Sequence, residues 1–90
     1  MKKVVMFSAS WCSPCKQAKP VFEQTAKTIA ESKNENSDVY FQIVDIDENR
    51  AMAEDFNITG VPTFMLIKDN EEVARLVGAA NVTKIQELLK

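Results

Sequence analysis

The chain has 90 residues, 46% hydrophobic and 27% charged, with 11 basic against 13 acidic side chains and a net charge of −2. That is enough chain for one small globular domain, and its interspersed charges form no basic stripe of the kind that binds nucleic acid. Histidine is absent, so the commonest general base and metal ligand is missing; a catalytic site here must rest on thiols, lysines, carboxylates or backbone groups.

From the N-terminus, Lys2 and Lys3 precede the apolar run Val4-Val5-Met6-Phe7. A signal peptide needs an apolar core of about 7–15 residues, and no run approaches the ~18 of a transmembrane helix. The run reads instead as a first strand, Val4 to Ser8, buried on both faces. A cytoplasmic protein without membrane contact is expected. From Ser13 to about Ser32, Ala18, Val21, Phe22, Thr25, Ala26 and Ile29 recur at helical spacing. Pro14 suits the first turn of that helix, and Pro20, well inside it, predicts a kink. The polar stretch Ser32 to Asp38 reads as a loop.

Val39 to Ile46 reads as a second buried strand, and Asn49 to Phe56 as a short helix with Ala51, Met52 and Phe56 inward. Thr63 to Ile67 and Val73 to Val77 are a third and a fourth strand. Between them lies Asp69-Asn70, residues that tolerate left-handed turn geometry, so a hairpin is expected. Asn81 can cap a last helix whose apolar face is Val82, Ile85, Leu88 and Leu89. The order is β-α-β-α-β-β-α, with a parallel first pair and an antiparallel hairpin. A single domain spans 1–90.

The reactive residues gather in "SASWCSPCKQAKP", Ser8 to Pro20, which holds the only tryptophan, both cysteines and two of the three prolines. Cys12-x-x-Cys15 has three ordinary readings: half a zinc site, an inert structural pair, or a redox dithiol. Zinc wants four ligands, and the chain offers neither a second cysteine pair nor a histidine. Position favours the redox reading. Cys12 follows a strand and stands at a helix start, where free N–H groups favour negative charge, and thiolate is the nucleophile of disulfide exchange. Lys16 adds positive charge nearby. Cys15, one turn further in, is expected to be the more buried, which makes Cys12 an exposed attacker and Cys15 a sheltered resolver. Ser13 and Pro14 form the short bridge between them.

"WCSPCK", Trp11 to Lys16, resembles the W-C-G-P-C-K motif of the thioredoxin family. "GVPT", Gly60 to Thr63, resembles its cis-proline loop, Pro20 its helix proline, Asp45 to Asp47 the end of its preceding parallel strand, and "KDNEEVARLVGA", ending at Gly78 and Ala79, its terminal hairpin. The resemblance covers nearly the whole chain in order. It implies a three-layer α/β/α sandwich on a four-stranded mixed sheet of order 2-1-3-4 with three helices, lacking the first strand and helix usual in the family. The second strand then becomes an edge that could pair with another chain, although a monomer is expected.

The resemblance also implies a protein-disulfide reductase active in cell redox homeostasis and electron transport. Cys12 and Cys15 would be catalytic. Trp11, Ser13, Pro14, Lys16 and Pro62 would support them, and Trp11, Val61, Pro62, Gly78 and Ala79 would line the substrate groove. No metal or bound cofactor is called for. Partners would be disulfide-containing proteins, with thioredoxin reductase or glutathione as reductant. The glutathione case defines a glutaredoxin-like alternative. A thioredoxin-fold binding module with a dispensable dithiol is a second alternative.

Two departures stand out. Ser13 replaces the usual glycine between the cysteines. Met6 stands where the family buries an aspartate beneath the dithiol, and Ile43 where its lysine partner is expected. Replacing both partners leaves ordinary core, whereas losing only one would strand a buried charge.

Overall fold

The computed structural model describes residues 2–31, 39–78 and 82–88, with backbone alone at 82, 83 and 86. The elements are β1 (Lys2–Ser8), α1 (Ser13–Glu31), β2 (Tyr40–Asp45), α2 (Arg50–Asp55), β3 (Thr63–Lys68), β4 (Glu71–Val77) and α3 (Val82–Glu87). The stretch Ser32 to Asp38, the cap position Asn81 and Leu89 lie outside the described residues.

One mixed sheet runs β2-β1-β3-β4, the order expected from the resemblance. β1 pairs parallel with β2, Met6 facing Ile43, and antiparallel with β3, Met6 facing Phe64. β1 therefore has hydrogen-bonded neighbours on both sides, and a strand so placed tolerates apolar residues on both faces. Val4 and Met6 join one core cluster with Cys15, Ala18 and Phe22 of α1 and Ile85 of α3. Val5 and Phe7 join the other, against Met52 and Phe56 at the α2 end. Period-two alternation thus distributes one apolar run between two layers. Phe22 anchors the first cluster, its ring edge-on to Phe41 at 5.5 Å and tilted on Phe64 at 5.8 Å. Burial of Phe22 and Phe64 is worth roughly 1.5–3 kcal/mol each.

The α1 stripe is Cys15, Ala18, Phe22, Thr25 and Ile29, which follows the sequence periodicity. The helix runs unbroken through Pro20. The β3–β4 hairpin turns at Asp69 and Asn70, with φ of 53° and 70°, the paired positive values that suit a two-residue turn. β4 begins two residues earlier than Val73, and a bulge at Leu66/Ile67 leaves Val73 without a register partner.

Three expectations need correction. β2 is not a buried strand: Tyr40, Gln42 and Ile43 are exposed and only Val44 within it is buried, because β2 forms the sheet edge. Ile43, expected in the core, is 37% exposed for the same reason. Ala51 faces solvent, since α2 has just six residues and directs Met52, with Phe56 beyond its end, at the sheet.

Met6 is fully buried in the cluster that holds both cysteines. Met6→Asp should cost about 3–5 kcal/mol near neutral pH, as an unpaired buried charge does. Ile43→Lys, at its register partner, should be mild alone and return part of that loss. A double-mutant cycle in urea reads both effects.

Candidate active site

Cys12 caps α1 from just outside it. Its amide donates to the Ala9 carbonyl at 3.1 Å, a tight turn that carries the chain from the end of β1 into the helix. The Cys15 amide, in the first turn, donates to Cys12 Sγ at 3.3 Å. The Cys12 thiol in turn donates to the Val61 carbonyl at 3.6 Å. A helix-start amide on a sulfur stabilises negative charge there. The two sulfurs are unbonded.

The expected asymmetry between the cysteines is present but smaller than anticipated. Cys15 is 0% exposed and Cys12 5%, so Cys12 is a buried thiol with a narrow opening. The Val61 carbonyl lies against its sulfur. Burial, followed by the hydrogen bond to Cys12, pushes the Cys15 thiol from its ordinary 9.0 up to about 11.

The Val61–Pro62 bond is cis, as the resemblance implied. It turns the Val61 carbonyl toward Cys12, while the Pro62 carbonyl accepts from the Gly78 amide at 2.9 Å. The Thr63 hydroxyl bonds the Gly60 carbonyl at 2.6 Å and braces the loop. Gly78 has φ 97°, a conformation costly for any residue with a Cβ. Val61, Pro62, Gly78 and the dithiol are therefore brought together. Ser13 and Pro14 are exposed on the bridge, and Ala79 lies outside the described residues.

Trp11 is 67% exposed, so it fills no core. Its indole N–H donates to Asp47 Oδ2 at 2.9 Å, which ties the residue before Cys12 to the loop after β2. That loop is held by Asp45, whose Oδ1 accepts from the amides of Asp47 and Glu48 at 2.8 and 3.3 Å. Sequence reasoning matched Asp45 to Asp47 with a family segment but assigned no role to either carboxylate. The available signal was their place at the carboxyl end of a strand parallel to β1, where α/β proteins gather their sites. A second missed residue is Lys19. It lies one turn beyond Cys15 on α1, and its charge is the smallest of the influences on that thiol, lowering it against burial and Cys12.

A buried C-x-x-C dithiol at a helix start, facing a cis-proline loop on a mixed four-stranded sheet, defines a dithiol protein of thioredoxin-like fold. The Thioredoxin family model matches residues 1–90. Thioredoxin H2-1 of Oryza sativa subsp. japonica is 43% identical over 76 residues, 84% of this chain and 50% of that protein. The thioredoxin of Mycolicibacterium smegmatis is also 43% identical over 76 residues, 84% of this chain and 64% of its own. Among solved structures, Fasciola hepatica thioredoxin superposes with a TM-score of 0.79 at 43% identity, covering 96% of this chain and 75% of that one. The chain belongs to the thioredoxin family. It spans about half the length of the rice relative. No helix among the described residues is long and apolar enough to cross a membrane.

The raised Cys15 value carries a linkage consequence. A thiol whose folded pKa exceeds its unfolded one loses stability as pH rises between the two. The reduced protein should therefore lose on the order of 2 kcal/mol from about pH 9 to 11 through this group. Urea midpoints across that window, compared with Cys15→Ala, should show a steeper fall in the wild type.

Proposed function

We propose that this chain is a thiol–disulfide oxidoreductase that reduces protein disulfides. The observation that carries the reading is the placement of the Cys12 sulfur on a helix-start amide, one turn before Cys15. The Cys15 amide lies 3.3 Å from Cys12 Sγ, and Cys12 keeps the narrow opening that Cys15 lacks.

Cys12, as thiolate, attacks one sulfur of a substrate disulfide. The substrate S–S bond breaks, one substrate thiolate leaves and a mixed disulfide forms on Cys12. Cys15 then loses its proton and attacks Cys12 Sγ. The mixed disulfide breaks, the second substrate thiol is released, and the Cys12–Cys15 disulfide remains. The substrate gains two electrons and the protein loses two. A further thiol reductant must reset the pair, either the dithiol of a thioredoxin reductase or two molecules of glutathione, which leave joined as a disulfide. That cycle suits a reducing compartment such as the cytoplasm.

In this reading Trp11, Val61, Pro62 and Gly78 form the rim against which an extended substrate segment lies. The Val61 carbonyl, held by the resting Cys12 thiol, is released for substrate pairing when that thiol ionises. Ser13 and Pro14 keep the bridge short, and Lys16 adds positive charge beside Cys12. We read residues 1–90 as one domain, with α1 and α3 on one face of the sheet and α2 on the other. The apolar clusters on the two faces support that three-layer arrangement.

Insulin reduction, driven by NADPH with thioredoxin reductase or by NADPH with glutathione and its reductase, should proceed with one of the two systems. Cys12→Ser should abolish it. Cys15→Ser should stop turnover and accumulate a mixed disulfide at Cys12, seen by mass spectrometry. A wild type inactive with both systems would defeat the reductase reading, and first alkylation of the reduced protein at Cys15 would reverse the two roles.

A further inference from the structure

The second half of exchange requires a thiolate at Cys15, yet Cys15 is fully buried in a cluster with Met6, Phe22 and Phe64, none of which can accept a proton. Resting on the dithiol reading above, we propose that Lys19 is the electrostatic partner of Cys15, supplying the positive charge that lets the resolving thiol ionise inside the mixed disulfide.

The geometry begins with α1, which starts at Ser13. Residues four apart on a helix lie on one face, and helical side chains lean toward the N-terminus. Lys19 therefore covers the turn that holds Cys15, and Lys16 covers the turn that holds Cys12. The sequence C-x-x-C-K-x-x-K, Cys12 to Lys19, makes two staggered cysteine–lysine pairs. Lys19 is exposed at the margin of the Cys15–Ala18–Phe22 stripe. Its stem can follow the apolar surface while its ammonium stays in water. Its charge works against the burial and the neighbouring Cys12 that raise the Cys15 thiol.

Among the described residues, the other elements packed around Cys15 bring no competing base. β1 and β3 contribute Met6 and Phe64 to the cluster. In the loop after β2, the Asp45 carboxylate is bonded to the amides of Asp47 and Glu48, and Asp47 to the Trp11 indole. α3, packed against α1, carries the exposed Lys84 and Glu87. Beside burial, Cys12 raises the Cys15 thiol, while the Ala9 backbone and, on α1, Lys19 lower it. Lys19 acts through Cys15 and touches no substrate atom.

A stopped-flow reaction of the reduced protein with dithiobis-nitrobenzoate separates the two thiols. Cys12 attacks the reagent, a mixed disulfide forms and one thionitrobenzoate leaves. Cys15 then attacks Cys12 Sγ, the Cys12–Cys15 bond closes, the second thionitrobenzoate leaves, and the Cys15 proton passes to solvent. Lys19→Met should slow the second release about two- to fivefold near neutral pH, the range of an exposed charge pair. It should also move the pH profile of that release upward and leave the first release unchanged. Lys19→Arg should restore the wild-type profile, and raised salt should narrow the gap between wild type and Lys19→Met. Unchanged urea midpoints establish that these exposed substitutions leave the fold intact. The inference is overturned if the second release is the same in wild type and Lys19→Met, if both releases slow equally, or if Lys19→Arg fails to restore the profile. A wild type that shows no first release from Cys12 instead overturns the dithiol reading itself.

Discussion

The structure around the dithiol turns on the Cys12 sulfur, which lies between two backbone groups from distant parts of the chain. One is the Cys15 amide at 3.3 Å, fixed by the first turn of α1. The other is the Val61 carbonyl at 3.6 Å, aimed by the cis bond to Pro62. Each contact is modest, of the order of 1 kcal/mol for an ordinary hydrogen bond. Together they require the helix start and the loop before β3 to meet within a few ångströms. That juxtaposition in turn requires β1 and β3 to be paired in register, since β1 delivers the helix start and the loop runs directly into β3.

The central position of β1 makes this possible. Its parallel neighbour β2 ends at the same edge of the sheet, and the Ile46 amide bonds the Ser8 carbonyl at 2.9 Å just where both strands finish. The two following loops are therefore side by side, and Trp11 can reach Asp47. The carboxyl ends of parallel strands are where α/β proteins collect function. Here the cause is visible in single bonds: Asp45 shapes its loop, Asp47 holds the indole, and the indole stands beside Cys12.

Away from the dithiol, the same sheet is fastened by polar contacts at its β4 edge. The Arg75 guanidinium donates to the Phe56 carbonyl at 2.6 Å and the Asn57 carbonyl at 3.4 Å, and it is paired with Glu72. Those carbonyls lie just past the end of α2, where helical acceptors lack partners. Arg75 satisfies them and ties the short helix to β4. The opposite edge, β2, has no comparable clasp among the described residues. Its exposed Tyr40, Gln42 and Ile43 are uncharged.

The sequence alone determined the element order, the hairpin at Asp69-Asn70, the α1 stripe and the spacing of Cys12 and Cys15 by one turn. All of these are local: helical period, turn residues that tolerate positive φ, and two thiols one turn apart. The family motif added Trp11 and the Val61–Pro62 loop. Tertiary structure decided what depends on distant neighbours. Cys12 is closed in, because a carbonyl 49 residues away covers it. Trp11 faces out, because its partner is 36 residues away. β2 is mostly exposed although its sequence reads as a buried strand, because apolar composition cannot say whether a strand will have one neighbour or two.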